Sequence, residues 1–311
     1  MSKYPLDPEF GNVEDLGCMR VSIETHREQV RMHEEMCRDV HADNTTVLEE
    51  DVVLEGYRSA RIGARIFAPS GVTDEMPCLV DFHGGGFFLP WGPHHLKHAM
   101  HYARELSCKV ILINYRTCLD DPFPTPVEDC YAGLKWVYDN AKTLGIDPAW
   151  VAVCGDSAGG ALAAAVCQMA RDRGLRLPCF QMLIYPVTDS SQNTESVAKF
   201  RDTPCFNATG NEDMWEMYLR NGDFGMPQYA APMLAEDLSG LPGAYVEVCE
   251  FDCLHDEGVA YAHRLLRAGV PVELNEAKGA YHGYDDRLEL HYVQRMLERR
   301  VNALRRAFYG G

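Results

Sequence analysis

Residues 151–160 read Val-Ala-Val-Cys-Gly-Asp-Ser-Ala-Gly-Gly, and five more alanine or leucine residues follow them. A short apolar run, a glycine-flanked serine and a helix-favouring segment make a G-x-S-x-G pattern between a strand and a helix. The flanking glycines permit a tight turn with no room for Cβ atoms, which lifts the serine above the sheet at a helix N-terminus. The pattern predicts an α/β sheet with Ser157 as nucleophile. A serine that merely caps the helix is the alternative interpretation.

A second glycine-rich segment, residues 83–88 (His-Gly-Gly-Gly-Phe-Phe), comes directly after an apolar run at 78–82. Three successive glycines let backbone N–H groups point into a site, and an oxyanion hole needs such donors roughly 2.7–3.1 Å from the oxyanion. A flexible loop or a phosphate cradle is the alternative, but the Lys-Ser/Thr ending of a phosphate loop is missing. The segment precedes the serine turn in the chain, as an oxyanion loop of this fold does. It therefore predicts an oxyanion hole.

A base and an acid are expected after Ser157, in the order Ser, Asp or Glu, His. His282 lies in a loop between the last predicted strand and the C-terminal helix, whereas the other histidines after Ser157 belong to predicted helices. The predicted strand at 245–249 is followed by residues 250–256, which include several carboxylates. Among these, Asp252 lies just beyond the strand, where site residues of open α/β sheets gather. Glu250 and Asp256 are the alternatives for the acid.

Short apolar runs alternate with longer helix-like segments from residue 78 onward, which predicts a parallel, doubly wound sheet. The strands are predicted at 78–82, 110–114, 151–154, 180–185, 245–249 and 270–274. The helices are predicted at 93–107, 126–142, 158–173, 256–268 and 286–307. Before them, β-rich runs between 47 and 67 predict an antiparallel hairpin, and residues 14–40 predict a weakly amphipathic helix.

One stretch, residues 189–229, interrupts the alternation because it has no predicted strand and contains an apolar helix-like run. Together with the N-terminal helix it predicts a lid over the C-terminal edge of the sheet. The predicted organisation is listed here in chain order: an N-terminal helical cap segment at 1–45, a first part of the α/β core at 46–188, a cap insertion at 189–229, and a second part of the core at 230–311.

The composition is that of an ordinary globular protein, with 46% hydrophobic and 24% charged residues. The net charge of −17 disfavours binding to nucleic acid or to an anionic membrane. No apolar stretch reaches the roughly 20 residues of a membrane span, and the first residues lack the apolar core of a secretion signal. Twelve cysteines without a C-x-x-C pair favour free thiols in a cytoplasmic protein. Cys78, Cys154 and Cys249 lie in apolar runs and are interpreted as core residues.

The chain resembles the hormone-sensitive lipase family of esterases, including bacterial acetyl esterase-like enzymes, over about residues 60–290. The segment at 83–87 resembles the family's H-G-G-G-[FW] element, and the segment at 155–160 resembles its G-D-S-A-G-G element. The stretches 114–116 and 122–129 resemble the sequence between them, and 252–258 is similar to D-x-L-x-D-E-G, whose first Asp is the triad acid. The family's His-Gly pair falls on His282 and Gly283. One departure is residues 117–120, Thr-Cys-Leu-Asp, where the family usually has Leu-Ala-Pro-Glu.

This resemblance implies an α/β-hydrolase fold: a mostly parallel eight-stranded sheet with helices on both faces and a helical cap. It also implies Asp252 as the acid, and an oxyanion hole built from the N–H groups of Gly85, Gly86 and Ala158, with Gly84 as a further contributor. The expected reaction is a two-step acyl transfer on a small-molecule ester, through a Ser157–His282–Asp252 triad, without cofactor or metal.

Three rivals remain open at this point. His94, His98 and His101, with His95 adjacent, recur at helical spacing and could bind a divalent ion, although such a set is more often a polar helix face. An arylformamidase or other amidase would use the same elements. The gibberellin receptors resemble this family as non-enzymatic binding proteins, but they lack the catalytic histidine.

The acyl group is expected to be short, about six carbons or fewer. This hypothesis rests on large side chains next to the oxyanion loop or in the predicted lid. They are Phe87, Phe88, Trp91, Met214 and Trp215.

Overall fold

A computed structural model describes residues 3–13, 16–17, 20, 23–72 and 74–310, apart from the side chains of residues 23–25. Its centre is one eight-stranded sheet in the order β1-β2-β4-β3-β5-β6-β7-β8. The strands are β1 (Val47–Glu55), β2 (Arg61–Pro69), β3 (Met76–Phe82), β4 (Lys109–Asn114), β5 (Ile146–Asp156), β6 (Phe180–Ile184), β7 (Gly243–Phe251) and β8 (Val272–Tyr281). β1 and β2 pair antiparallel, β2 pairs antiparallel with β4, and all other pairs are parallel.

The helices connect and cover these strands. They are α1 (Ile23–Cys37), α2 (Pro93–Leu106), α3 (Thr125–Asp139), α4 (Ala141–Leu144), α5 (Ala158–Asp172), α6 (Glu195–Lys199), α7 (Ala208–Tyr218), α8 (Pro227–Ala230), α9 (His255–Arg267) and α10 (His291–Tyr309). Of these, α6 and α7 lie wholly within the predicted insertion at 189–229, and α8 ends one residue beyond it. Within the described residues, no helix is both long and apolar enough to cross a membrane.

The hydrophobic core lies on both faces of the sheet. Successive side chains of a strand point to opposite faces, so Leu79 and Val80 of β3 belong to two different core clusters. Central strands buried on both faces need continuous apolar runs, and β3 is buried at every position. The predicted core cysteines Cys78, Cys154 and Cys249 are all buried.

The predicted fold class is confirmed: the sheet is mostly parallel, with the expected antiparallel hairpin at its start. The predicted helix over 14–40 corresponds to α1, and the positions 14, 15, 18, 19, 21 and 22 lie outside the described residues. The last strand and the last helix were placed too early. β8 runs to Tyr281, and α10 begins at His291 because a short 3₁₀ turn, Tyr284–Asp286, precedes it.

Candidate active site

Ser157 lies in the turn that joins β5 to α5. Its backbone has φ +54° and ψ −119°, a sparsely populated and strained region for a residue with a Cβ atom. The flanking glycines are required by close packing, because a Cβ atom on Gly159 would overlap the Phe82 carbonyl oxygen and one on Gly155 would overlap Gly159. The tight turn predicted from the glycine spacing is therefore present, and it places Ser157 at the carboxyl edge of the sheet.

Two further predicted residues meet Ser157 at this edge. His282 follows β8 directly, and its Nε2 lies 2.9 Å from Ser157 Oγ. Asp252 follows β7 directly, and its Oδ2 lies 2.7 Å from His282 Nδ1. The Asp252 side chain is fully buried and also accepts a hydrogen bond from the Leu254 N–H at 2.9 Å. This chain of contacts can carry a proton from the serine to the imidazole while the carboxylate holds the ring.

The alternative acids are engaged elsewhere. Glu250 accepts a hydrogen bond from the Gly279 N–H at 2.8 Å. Asp256 accepts from the Ser196 N–H at 2.8 Å and contacts His255 Nδ1 at 2.8 Å. Of the three carboxylates, only Asp252 is hydrogen-bonded to His282.

The loop after β3 offers backbone donors beside Ser157. Gly85 and Gly86 have φ values of +107° and +62°, a conformation that glycine adopts without strain. Within the described residues, their N–H groups make no hydrogen bond, and both residues line the cavity at Ser157. Ala158 is the first residue of α5, so its N–H has no intrahelical partner. These three groups are the ones available to an oxyanion.

Gly84 differs from its neighbours, which corrects the expectation that it contributes to the oxyanion hole. Its N–H donates to Asp156 Oδ1 at 2.9 Å and is therefore occupied. A Cβ atom on Gly84 would also overlap the Asp156 carboxylate. This glycine anchors the loop to the serine turn.

Asp156 and His95 form a strap that sequence reasoning missed. Burial alone would raise the pKa of the Asp156 carboxyl, but the neighbouring His95 and the Gly84 N–H hold that pKa below its usual range. His95 Nε2 lies 3.2 Å from Asp156 Oδ1, and His95 Nδ1 accepts the Gly92 N–H at 2.7 Å. The strap ties both ends of the oxyanion loop to the serine turn. The only sequence signal was the position of Asp156 beside Ser157.

The histidines of the rival metal interpretation do not converge on one another as a set. His98 Nε2 lies 3.0 Å from the Asp285 carbonyl oxygen, and His101 contacts Arg104 instead. Potential ligand atoms of His94, His95 and Asp156 do lie within 4.8 Å of one another. However, both ring nitrogens of His95 are already engaged, Nδ1 by the Gly92 N–H at 2.7 Å and Nε2 by Asp156 Oδ1 and the Gly84 N–H, each at 3.2 Å. The group is therefore described as a hydrogen-bonded strap.

Ser157 opens into a cavity of about 380 Å³ between α1, α2 and the segment before α7. Apolar side chains of Met36, Leu89, Tyr185 and Phe206 line it, together with polar groups of His33, His94 and Asp286. The Phe206 ring centroid lies 4.9 Å from that of His282. No spacing pattern in the sequence distinguishes Tyr185 or Phe206, because both follow ordinary core or loop residues.

None of the five residues expected to crowd the substrate lines this cavity. Phe87 is fully buried and stacks on Tyr218 with ring centroids 3.9 Å apart. Phe88 is fully buried against His26 at 4.2 Å. Met214 and Trp215 are buried in α7, and Trp91 packs against the core on the other face of the sheet. The expectation is therefore wrong. Proximity in sequence to the glycine loop does not determine where a side chain points, and these side chains pack into the core.

Comparison with known proteins identifies a family and several similar esterases. The family described as alpha/beta hydrolase fold matches residues 79–286. Esterase LipI of Mycobacterium tuberculosis is 34% identical over 91% of this chain and 88% of its own length. The arylesterase of Saccharolobus solfataricus is 32% identical over 90% of this chain and 92% of its own. The solved structure of a bacterial heroin esterase, 33% identical, covers 98% of both chains with a TM-score of 0.88.

Proposed function

Since the chain belongs to the alpha/beta hydrolase fold family, in its group of hormone-sensitive lipase-like esterases, we propose that it is a serine carboxylesterase acting on short acyl esters. The nucleophile is Ser157, the base His282 and the orienting acid Asp252. The observation that carries the proposal is the continuous hydrogen-bonded chain from Ser157 Oγ through His282 to Asp252, at 2.9 and 2.7 Å.

In the first step, Ser157 Oγ attacks the ester carbonyl carbon while its proton passes to His282 Nε2. The carbonyl π electrons move onto oxygen, and the resulting oxyanion is held by the N–H groups of Gly85, Gly86 and Ala158. Collapse of this intermediate breaks the carbon–oxygen bond to the alcohol, which leaves with the proton from His282. Water then attacks the acyl-enzyme by the same route, with His282 taking its proton, and releases the acid and Ser157.

Cavity volume supports a short acyl group. The cavity at Ser157 measures about 380 Å³, near the lower end of the roughly 300–1,000 Å³ of small-molecule sites. Such a cavity favours a short acyl ester over a twelve-carbon one. The volume replaces the five aromatic and apolar residues as the basis for this part of the proposal.

Hydrolysis of p-nitrophenyl esters of graded chain length tests the proposal. We expect the wild type to turn over four-carbon esters faster than twelve-carbon esters, and Ser157→Ala to lose activity by roughly 10⁴-fold or more. Ser70→Ala is the control, because the Ser70 hydroxyl bonds the Thr45 carbonyl on an exposed surface away from the site.

Two outcomes would change the proposal. Faster turnover of the twelve-carbon ester would overturn the short-acyl assignment and leave the reaction class intact. A folded wild type that is inactive on every ester would overturn the esterase assignment. Assays on N-formyl amides and ligand-binding measurements would then separate an amidase from a non-enzymatic receptor.

A further inference from the structure

We propose that Arg300 is a positioning residue for both partners of Ser157, acting through Asp285 and Tyr185 on His282 and through Glu247 on the strand that leads to Asp252. This inference rests on the proposed function. It concerns side chains that the sequence analysis did not single out and that lie outside the triad itself.

Arg300 is a buried arginine of α10, with 1% of its surface exposed. Its Nη1 lies 2.5 Å from Asp285 Oδ2, and its Nη2 lies 2.5 Å from Glu247 Oε1. Both carboxylates are themselves buried. Removing the charge of one partner in such a cluster leaves the others unpaired in the interior, so the geometry of the whole cluster depends on the guanidinium.

The path to His282 is short. Asp285 lies in the 3₁₀ turn three residues beyond His282, and its Oδ1 accepts the Tyr185 hydroxyl at 2.5 Å. The Tyr185 ring meets the imidazole of His282 nearly edge-on, with centroids 4.8 Å apart and an interplanar angle of 61°. Tyr185 holds a positive φ of +35°, which a bulky residue keeps only when its surroundings fix it. Arg300 thus orders the surface against which the imidazole rests.

The path to Asp252 runs along β7. Glu247 lies on this strand, and Asp252 is the residue directly after the strand ends. The Glu247 carboxylate accepts hydrogen bonds from the Tyr245 and Tyr284 hydroxyls at 2.8 and 2.7 Å. The Arg300 guanidinium therefore connects β7 to the loop that carries His282. The Asp252–His282 hydrogen bond connects the same two parts of the chain.

The charges that face this cluster come from several elements. Arg300 on α10 contributes one positive charge, and Glu247 on β7 and Asp285 in the 3₁₀ turn contribute two negative charges. Burial alone would raise the pKa of Asp285, but Arg300 outweighs it and lowers that pKa to about 2, so the carboxylate is ionised at neutral pH. The neutral groups packed against the cluster are His98 and Tyr102 of α2, Tyr185, Tyr245 and Tyr284. Loss of Arg300 would leave two uncompensated negative charges in the interior, one of them on Asp285, three residues beyond His282.

Steady-state kinetics of p-nitrophenyl butyrate hydrolysis across pH test this assignment, with Arg300→Met and Tyr185→Phe as the variants. Tyr185→Phe keeps the ring and removes only the hydroxyl that bonds Asp285. We expect it to lower kcat about threefold to tenfold with KM within about twofold, because a small displacement of a catalytic group costs rate. For Arg300→Met we expect kcat to fall about tenfold to a hundredfold.

The pH profile separates positioning from general destabilisation. In Arg300→Met the pH at half-maximal kcat/KM should rise by about half a unit to one unit, because unpaired carboxylates favour protonated His282. Arg300→Lys, which restores a positive charge, should return the profile toward that of the wild type.

Arg116→Met is the matched control. It breaks an ion pair with the fully buried Asp129 at 2.9 Å, far along the sheet from His282, and should lower the melting temperature without moving the pH profile. If Arg300→Met does not fold, Tyr185→Phe and Asp285→Asn carry the same test.

The assignment would be overturned if the Tyr185 and Arg300 variants kept the wild-type kcat and pH profile. It would also be overturned if their pH profiles shifted no more than that of Arg116→Met. These results are distinct from failure of the proposed function, in which the wild type itself has no activity dependent on Ser157.

Discussion

His282 uses both ring nitrogens, with Nε2 facing Ser157 and Nδ1 facing Asp252. Because Asp252 accepts at Nδ1, that nitrogen carries the proton and Nε2 keeps the lone pair that a base needs. Residue type and chain order predicted Ser157 and His282, since a base is expected after the nucleophile. Asp252 was favoured over Glu250 and Asp256 by its place just beyond a strand and by the family resemblance. Gly84 was assigned wrongly because sequence cannot tell which N–H of three glycines is already bonded.

Asp252→Asn tests the role of the carboxylate. The amide can donate its own hydrogen to Nδ1, which favours the imidazole tautomer with the proton on Nε2 and removes the base. We expect kcat for p-nitrophenyl butyrate to fall by about 10⁴-fold, with KM changed much less. Asp256→Asn is the control, because that carboxylate bonds Ser196 and His255 and not His282. Comparable kcat values for Asp252→Asn and wild type would contradict the assignment.

At the scale of elements, the central strands were predictable because each is buried on both faces and reads as a continuous apolar run. β8 was predicted too short because it is the edge strand beside β7, and exposed polar residues such as Glu273 alternate with partly buried ones. The start of α10 was predicted too early because the residues after His282 form a 3₁₀ turn held by Arg300, a contact between positions distant in the sequence. Local pattern cannot indicate such a contact.

The turn between β5 and α5 gives an element-scale prediction. Gly159→Ala should destabilise the fold by about 3 kcal/mol or more, because its Cβ would overlap the Phe82 carbonyl oxygen on the adjacent strand and neither backbone can yield easily. Urea unfolding measures the change in free energy. The control is Gly63→Ala in β2, where the nearest atom to the new Cβ is 3.8 Å away and stability should be unchanged or slightly increased. Equal stabilities of the two variants would contradict the close-packed description of the turn.

At the scale of the whole molecule, burial of ionisable side chains determines how stability depends on pH. Burial lowers the pKa of six histidines in the described residues, including His83 at the start of the oxyanion loop. They are His26, His33, His83, His94, His98 and His101. Burial acts oppositely on Asp81, whose pKa it raises to about 7. A protonated Asp81 favours the folded state as the pH falls, so the acid partly offsets the histidines.

His98 gives a prediction at this scale. Burial lowers its pKa to about 4, whereas an unfolded histidine titrates near about 6.5. Between those values the unfolded chain binds the extra proton, so the free energy of unfolding falls as the pH is lowered from 6.5 to 4. His98→Gln keeps a donor for the Asp285 carbonyl and should reduce that fall by roughly 2 kcal/mol. Denaturant unfolding at pH 6.5 and 4.5 measures it, and an identical fall in both proteins would contradict the prediction.

The sequence by itself predicted the sheet, the family and the three residues that meet at its carboxyl edge, because these depend on short-range signals: apolar runs, glycine spacing and motif order. Relatives of the chain confirm the predicted esterase family. Only the tertiary structure decided which glycine N–H groups remain open, which side chains line the cavity and how Arg300 reaches His282. Those features depend on contacts between residues far apart in the chain, such as Gly84 with Asp156 and Arg300 with Glu247. Their formation is decided by packing geometry, which no local pattern encodes.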